Sequence, residues 1–248
     1  MQKIGLLADI QQCRKHLTKH QIDSMNTSIL RRINGLAVVG LLAFASCDNA
    51  PKGDQATITD EQQAADAAGQ TFTVDTADSK IRFVGHGVGK NHPGNFRLSS
   101  GTVSINNDQI TGGEFVINIQ SMEVEEQGEM FQNKLKPHLL SGDFFDAEKF
   151  GTAKFVITGV TPYEAGSGDT SIVDGANFTV SGNFTLKDVT RNVSFPARID
   201  LDGETLKAEA NFDIDRTQWQ MNYGNDKTLG DQFISETVNI ELDLRARK

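Results

Sequence analysis

The sequence predicts an all-β fold, a single antiparallel barrel of about eight strands with a short helical segment capping one end. Three observations predict it. Apolar and polar residues alternate with period two in a series of short runs, turn-forming residues separate those runs, and no long helical periodicity is interleaved between them. Interleaved helices would be the mark of a parallel sheet, and here they are missing. Closure follows from a second consideration. A long open meander exposes unpaired backbone groups along two edges, whereas a barrel exposes none.

The runs can be taken in chain order. Lys80 to Gly87, Phe96 to Ile105, Thr111 to Gln120 and Ala153 to Val160 are the first four strand candidates. The alternation is clearest next, where Phe178, Val180, Gly182, Phe184 and Leu186 share one face and Thr179, Ser181, Asn183 and Thr185 the other. Val193, Phe195, Ala197, Ile199 and Leu201 repeat the pattern after a short connection at Lys187 to Asn192, so the two runs should form a hairpin. Leu206, Ala208, Ala210, Phe212 and Ile214 follow a turn at Asp202-Gly203, and Val238, Ile240, Leu242 and Leu244 close the series. The helical candidate is Gln127 to Leu140, in which Met130, Phe131, Leu135 and Leu139 could cover one mouth and Pro137 limits the helix.

Not all of the chain is expected to belong to the barrel. Met25 to Cys47 has the three-part plan of a secretion signal: Arg31-Arg32, an apolar run of about 12 residues from Ile33, and small residues before Cys47. That run is too short to span a hydrocarbon core, which needs roughly 20 residues as a helix. Phe44-Ala45-Ser46-Cys47 resembles a lipobox, so Cys47 is expected to be lipidated; cleavage near Ala45 with a free Cys47 is the alternative. Residues 1 to 24 read as a mis-assigned start or a disordered leader. Residues 48 to 70 are small, polar and acidic and are expected to form a flexible tether, with a short helix around Thr59 to Ala68 as an option. The barrel is expected at 71 to 248.

Cysteine and charge narrow the functional classes. Cys13 and Cys47 are the only cysteines, so the exported domain has no disulfide available to it. Six Lys and Arg against two Asp give residues 1 to 47 a charge of +4, which leaves −13 for the remainder of a chain whose total is −9. A surface that acidic argues against nucleic acid as a partner.

Several residues invite chemical readings. Gly85 to Gly89 is glycine-rich but lacks the spacing and the Lys-Ser/Thr of a phosphate loop, so tight curvature in a sheet is the better reading. His86, His92 and His138 match no strong metal motif, no metal or other cofactor is expected, and no nucleophile elbow is present. Glu123, Glu125, Glu126 and Glu129 read as a solvated face. The aromatic set is different in kind, since 15 phenylalanines outnumber two tyrosines and one tryptophan. Phe83, Phe96, Phe115, Phe155, Phe178, Phe184, Phe195 and Phe212, with Trp219, are the expected lumen and ligand-binding set; Arg216 and Tyr223 join Trp219 as a group that contacts a ligand head or braces the barrel end.

Four stretches carry a resemblance to the YceI-like family over roughly Thr71 to Lys248. They are Val74-Asp75 with Ser79-Lys80-Ile81-Arg82-Phe83; His138 to Asp146 with Phe155 downstream; Val180 to Thr190; and Asp215-Arg216-Thr217-Gln218-Trp219 leading to Tyr223-Gly224. Gly151 and Asp188 depart from the family pattern at turns. The resemblance implies a lipocalin-like barrel, export to the periplasm, and a lumen that takes a polyisoprenoid, an isoprenoid quinone or a fatty acid or amide, without catalysis. The expectation is therefore a lipid-anchored protein on the periplasmic side of the bacterial envelope, with membrane and long-chain lipid as its partners. Its oligomeric state is left open, a homodimer included. The competing readings are an enzyme that uses His86, His92 or His138 as base in the same pocket, and an interaction module with a solid core.

Overall fold

The computed structural model describes residues 51–164 and 170–248. The expected signal at 25–47, the leader before it and the lipidation site Cys47 lie outside the described residues. The strands are β1 (Asp54–Gln55), β2 (Thr57–Asp60), β3 (Gln70–Val74), β4 (Lys80–Gly87), β5 (Lys90–Asn106), β6 (Gln109–Val124), β7 (Thr152–Pro162), β8 (Phe178–Leu186), β9 (Val189–Asp202), β10 (Thr205–Asp215) and β11 (Ile234–Arg247). From β4 to β11 each strand pairs antiparallel with the next, and β11 pairs back onto β4, which closes an eight-stranded barrel. Strand β3 continues the line of β4, between β5 and β11, after an excursion at Asp75 to Ser79. Backbone N–H donation from Asp78 and the neighbouring Arg247 guanidinium hold the Asp75 carboxyl below its ordinary pKa, in keeping with a carboxylate that fixes this break.

Alternation explains the wall. In β8 and β9 the apolar side chains point in, while the outward hydroxyls pair across the strands, Ser181 with Ser194 at 2.7 Å and Thr185 with Thr190 at 2.9 Å. Their connection is tighter than the sequence suggests. The turn is only Lys187-Asp188, with Lys187 at φ 57°. The helical candidate is also shorter than expected, a π-helical turn Phe131–Leu135 running into a helix α1, Lys136–Leu140. Pro137 sits in the first turn of α1, where a missing N–H is tolerated. Among the described residues no helix is long and apolar enough to cross a membrane.

The expected flexible tether is corrected by the structure. Strands β9 and β10 pair only from Asp202/Thr205 to Arg198/Glu209 and then diverge. The reason lies in Pro196. Ala197 and Ile199 hydrogen-bond Asn177 on the β8 side, so by alternation Pro196 faces the β10 edge, where it has no N–H to donate. The chain's own N-terminal segment fills the gap. Strand β2 takes the edge of β9 at Arg191 to Ser194, β1 lies parallel to β10 at Phe212 and Asp213, and Ala56 is buried between them. No helix forms at Thr59 to Ala68. The segment crosses β8 through a two-way bond between Gln62 and Asn183, reaches β7 through Ala65 N–H to Ile157 at 3.0 Å, and then enters β3. Backbone groups make most of these bonds, which is how a polar, small-residue stretch with little to bury still finds a fixed seat.

Asn183 ties this strap to Asn192, whose amide also reaches Thr158. Asn183→Ala should lower the unfolding free energy by about 1–3 kcal/mol, because buried partners lose their bonds, and should speed amide exchange at 60–65 selectively. Wild-type stability with unchanged exchange there would show that the strap is not held in this way.

Candidate binding cavity

The barrel is hollow, with an interior cavity of about 560 Å³. That is within the range of roughly 300–1,000 Å³ seen for small-molecule pockets. A core filled by its own side chains is thereby excluded as the description of this lumen.

Phe83, Phe96, Phe115, Phe155, Phe184, Phe195 and Phe212 all stand in the cavity wall. Phe195 and Phe212 are stacked with centroids 3.9 Å apart, Phe83 and Phe96 lie 5.0 Å apart, and Phe155 bridges Phe115 and Phe195 at 6.3 and 6.0 Å. Two of the expected residues are placed elsewhere. Phe178 has the inward parity of Val180 and Phe184, but as the first residue of β8 it lies beyond the cavity, half-buried against the core. Trp219 is fully buried behind the wall, its Nε1–H donating to the Phe184 carbonyl at 3.0 Å and its ring edge-on to Phe184. It braces the barrel end.

Glycine explains why large rings leave room inside. Gly94 pairs with Phe83 across β4 and β5, and Gly182 pairs with Ile157 beside Phe155. A Cβ at either glycine would collide with the phenylalanine ring. Without one, each ring lies against bare backbone instead of projecting into the lumen.

The cavity wall also has an aliphatic part beyond the aromatic set that the sequence points to. Ile81, Leu98, Ile117, Val193, Leu206 and Leu244 line the cavity with the rings. Most of these lie at inward positions of runs already phased by alternation, so the signal was present. Ile117 follows the odd parity of Phe115 and Ile119 in β6; the register shift between Leu98 and Ser100 lies in β5, where it moves the inward set from Phe96 and Leu98 to Val103.

The two ends differ in chemistry. Val74, Val103, Ile110 and Ala246 line one end, where the fully buried Phe72 pairs with Val103. The other end is bounded by Lys90, His92, His138, Arg216, Tyr223 and Gln232, with Leu135, Leu139, Phe144 and Phe145 of the cap among them. His86 also lies here, so the three histidines share one mouth. His92 Nδ1 is 2.7 Å from Glu126 and His138 Nε2 is 2.9 Å from Asp143, pairings that clip the 126–146 cap to β5 and to itself. Among the described residues no group of three or more His, Cys, Asp and Glu is placed to hold a metal ion. The glutamates of the mouth are not a bare acidic face: Glu125 pairs with Arg82 and Glu123 with Arg97. Gly85 to Gly89 forms the β4–β5 hairpin tip, with Gly89 at φ 69°.

Arg216 organises this end. Only 3% exposed, its guanidinium donates to the carbonyls of Met221, Tyr223, Ile234 and Ser235, and it lies 5.6 Å over the Phe144 ring. Burial pulls its pKa below the ordinary guanidinium value, opposed by Glu236 and Asp215, although an arginine there stays charged. Four carbonyls thus gather the 216–235 loop around one cation beside the cavity mouth.

The YceI-like domain family matches residues 72–246. A UPF0312 protein of Shewanella sp. (strain ANA-3) is 28% identical over 184 residues, covering 73% of this chain and 87% of the relative. Among solved structures, BcnA of Burkholderia cenocepacia superposes with a TM-score of 0.54 at 21% identity, covering 69% of this chain and 98% of that one. A polyisoprenoid-binding domain from Saccharophagus degradans, described as implicated in plant cell wall breakdown, superposes with a TM-score of 0.52 at 14% identity, covering 75% and 99%. At these identities the two structures share the barrel fold with this chain.

Gly182→Val tests the packing of the wall. Overpacking of this kind should destabilise the barrel by about 1–3 kcal/mol and push the Phe155 ring inward, reducing the lumen volume in a crystal structure. An unchanged lumen with unchanged stability would contradict the role given to glycine.

Proposed function

The chain belongs to the YceI-like family, and we propose that it is a non-catalytic carrier that shelters one long-chain lipid in the barrel lumen on the periplasmic side of the bacterial envelope. The observation that carries this reading is an apolar cavity of about 560 Å³ with one apolar end and one polar mouth. A polyisoprenoid, an isoprenoid quinone or a fatty acid or amide would enter tail first, its last carbons among Val103, Ile110 and Leu206 and its head near His138, Arg216 and Tyr223. The polyisoprenoid-binding description of the Saccharophagus degradans domain favours the same ligand class.

Energetics agree with a long tail. Each buried methylene contributes roughly 0.8 kcal/mol, so about 16 carbons give on the order of 13 kcal/mol. That is comparable with the estimated ~4–15 kcal/mol of lost motional freedom on association, leaving specific wall contacts and the head group to set affinity. A short ligand could not offset that loss. Cys47 as a lipidated N-terminus would keep the carrier at a membrane, the source and destination of such ligands.

Organic extraction of the protein purified from a bacterial envelope, followed by mass spectrometry, should yield a long-chain lipid. Delipidated protein should then take up a fluorescent fatty acid or a polyprenol in equimolar amount. Failure to take up fatty acid, quinone and polyprenol alike would overturn the carrier reading.

A further inference from the structure

Among the described residues five large apolar side chains are strongly exposed: Val88, Met130, Ile172, Tyr223 and Leu229. Four of the five belong to the segments that bound the cavity mouth. Val88 is the tip of the β4–β5 hairpin and, with Tyr223, borders the cavity itself. Met130 immediately precedes the π-helical turn of the cap, and Leu229 lies in the 3₁₀ segment Lys227–Gln232, whose Asp231 and Gln232 border the opening. Their exposures are 55% for Val88, 63% for Met130, 47% for Tyr223 and 43% for Leu229. Single exposed apolar residues need no explanation, but a ring of them around one opening does.

We propose that this rim is a membrane-docking face, which presses the mouth of the barrel against a lipid bilayer so that the ligand passes between bilayer and lumen without crossing water. The inference rests on the carrier reading above and adds how the ligand gets in. One feature favours a bilayer over a protein as occupant: the apolar rim is continuous with the apolar lumen through Val88 and Tyr223, so a rim seated in lipid joins two oily phases.

Charge does not drive this docking. Lys90, Lys134, Lys136 and Lys227 surround the rim, and so do Glu129, Asp226 and Asp231. The face is mixed in sign, and insertion of the four apolar side chains to the depth of the head groups supplies the attraction. Lysine stems can lie along that boundary with their ammonium groups in water. Binding should accordingly occur on uncharged phosphatidylcholine vesicles and change little with salt.

The test uses the full chain carrying Cys13→Ser and Cys47→Ser, so that no lipid anchor contributes, with Val88→Cys, Leu229→Cys or Ile172→Cys bearing an environment-sensitive fluorophore. Ile172 is the control: equally apolar and 52% exposed, but in the β7–β8 connection, where it bonds Asp54. On phosphatidylcholine vesicles the labels at Val88 and Leu229 should shift to the blue and be quenched by lipid-borne nitroxide, at low and high salt alike, while Ile172 stays unchanged. Met130→Asp with Leu229→Asp should slow transfer of a fluorescent fatty acid from vesicles at least about tenfold and leave its uptake from aqueous solution intact. Rim labels that ignore vesicles, or a transfer rate indifferent to the two aspartates while uptake persists, would overturn the docking proposal. Blue shifts that grow with protein concentration in the absence of vesicles would do so as well, assigning the face to a second copy of the chain. Loss of uptake from solution in the unsubstituted protein would instead defeat the carrier reading itself.

Discussion

Closing the sheet between β11 and β4 forces one parity of every strand into a single enclosed space, and the rest of the structure is an answer to what fills it. Eight strands leave an interior that side chains can just occupy. Here the rings of Phe83 and Phe155 lie on bare backbone at Gly94 and Gly182, and the centre stays open. Neither the ring alone nor the glycine alone produces the cavity. It is the cross-strand combination that converts an aromatic-rich core into an aromatic-lined hollow.

The same closure creates the weak point of the wall. Pro196 withdraws a donor from the β9 edge, β9 and β10 part, and the gap is filled by a segment of low apolar content using its backbone. Tether and barrel are consequently one unit, and the place where the chain meets the barrel is fixed on β10 and not left to a swinging linker. At the mouth the construction changes again. Arg216 gathers four carbonyls, the histidine–carboxylate pairs clip the cap, and the polar groups collect at one end of an otherwise apolar space. Polarity graded along the cavity is what gives an amphiphile a direction.

Much of this was legible in the sequence. The alternation of Phe178 to Leu186 and of Val193 to Leu201 located two strands and their inward faces, and seven of the nine expected lumen residues stand in the cavity wall. Phe178 shows the limit of parity, which tells which face a residue takes but not whether the cavity extends to its level. Trp219 shows another: its indole N–H needs an acceptor when buried, and the Phe184 carbonyl draws it behind the wall. The strap at Asp54 to Asp60 was illegible from composition because backbone hydrogen bonds to open strand edges leave no apolar pattern. A bulge in β5 hid Val103 for a related reason, since the register shift after Leu98 inverts the parity set by Phe96 and Leu98.

The central claim is that a lipid tail occupies the interior down to its apolar end. Methyl NMR of the delipidated protein loaded with a fatty acid carrying a nitroxide at its terminal carbon measures this directly. The account requires strong line broadening at Val103, Ile110 and Leu206, with the outward-facing methyls of Thr179 and Thr185 spared. Broadening confined to the mouth at Leu135 and Leu139, or spread over the outer surface, would contradict it.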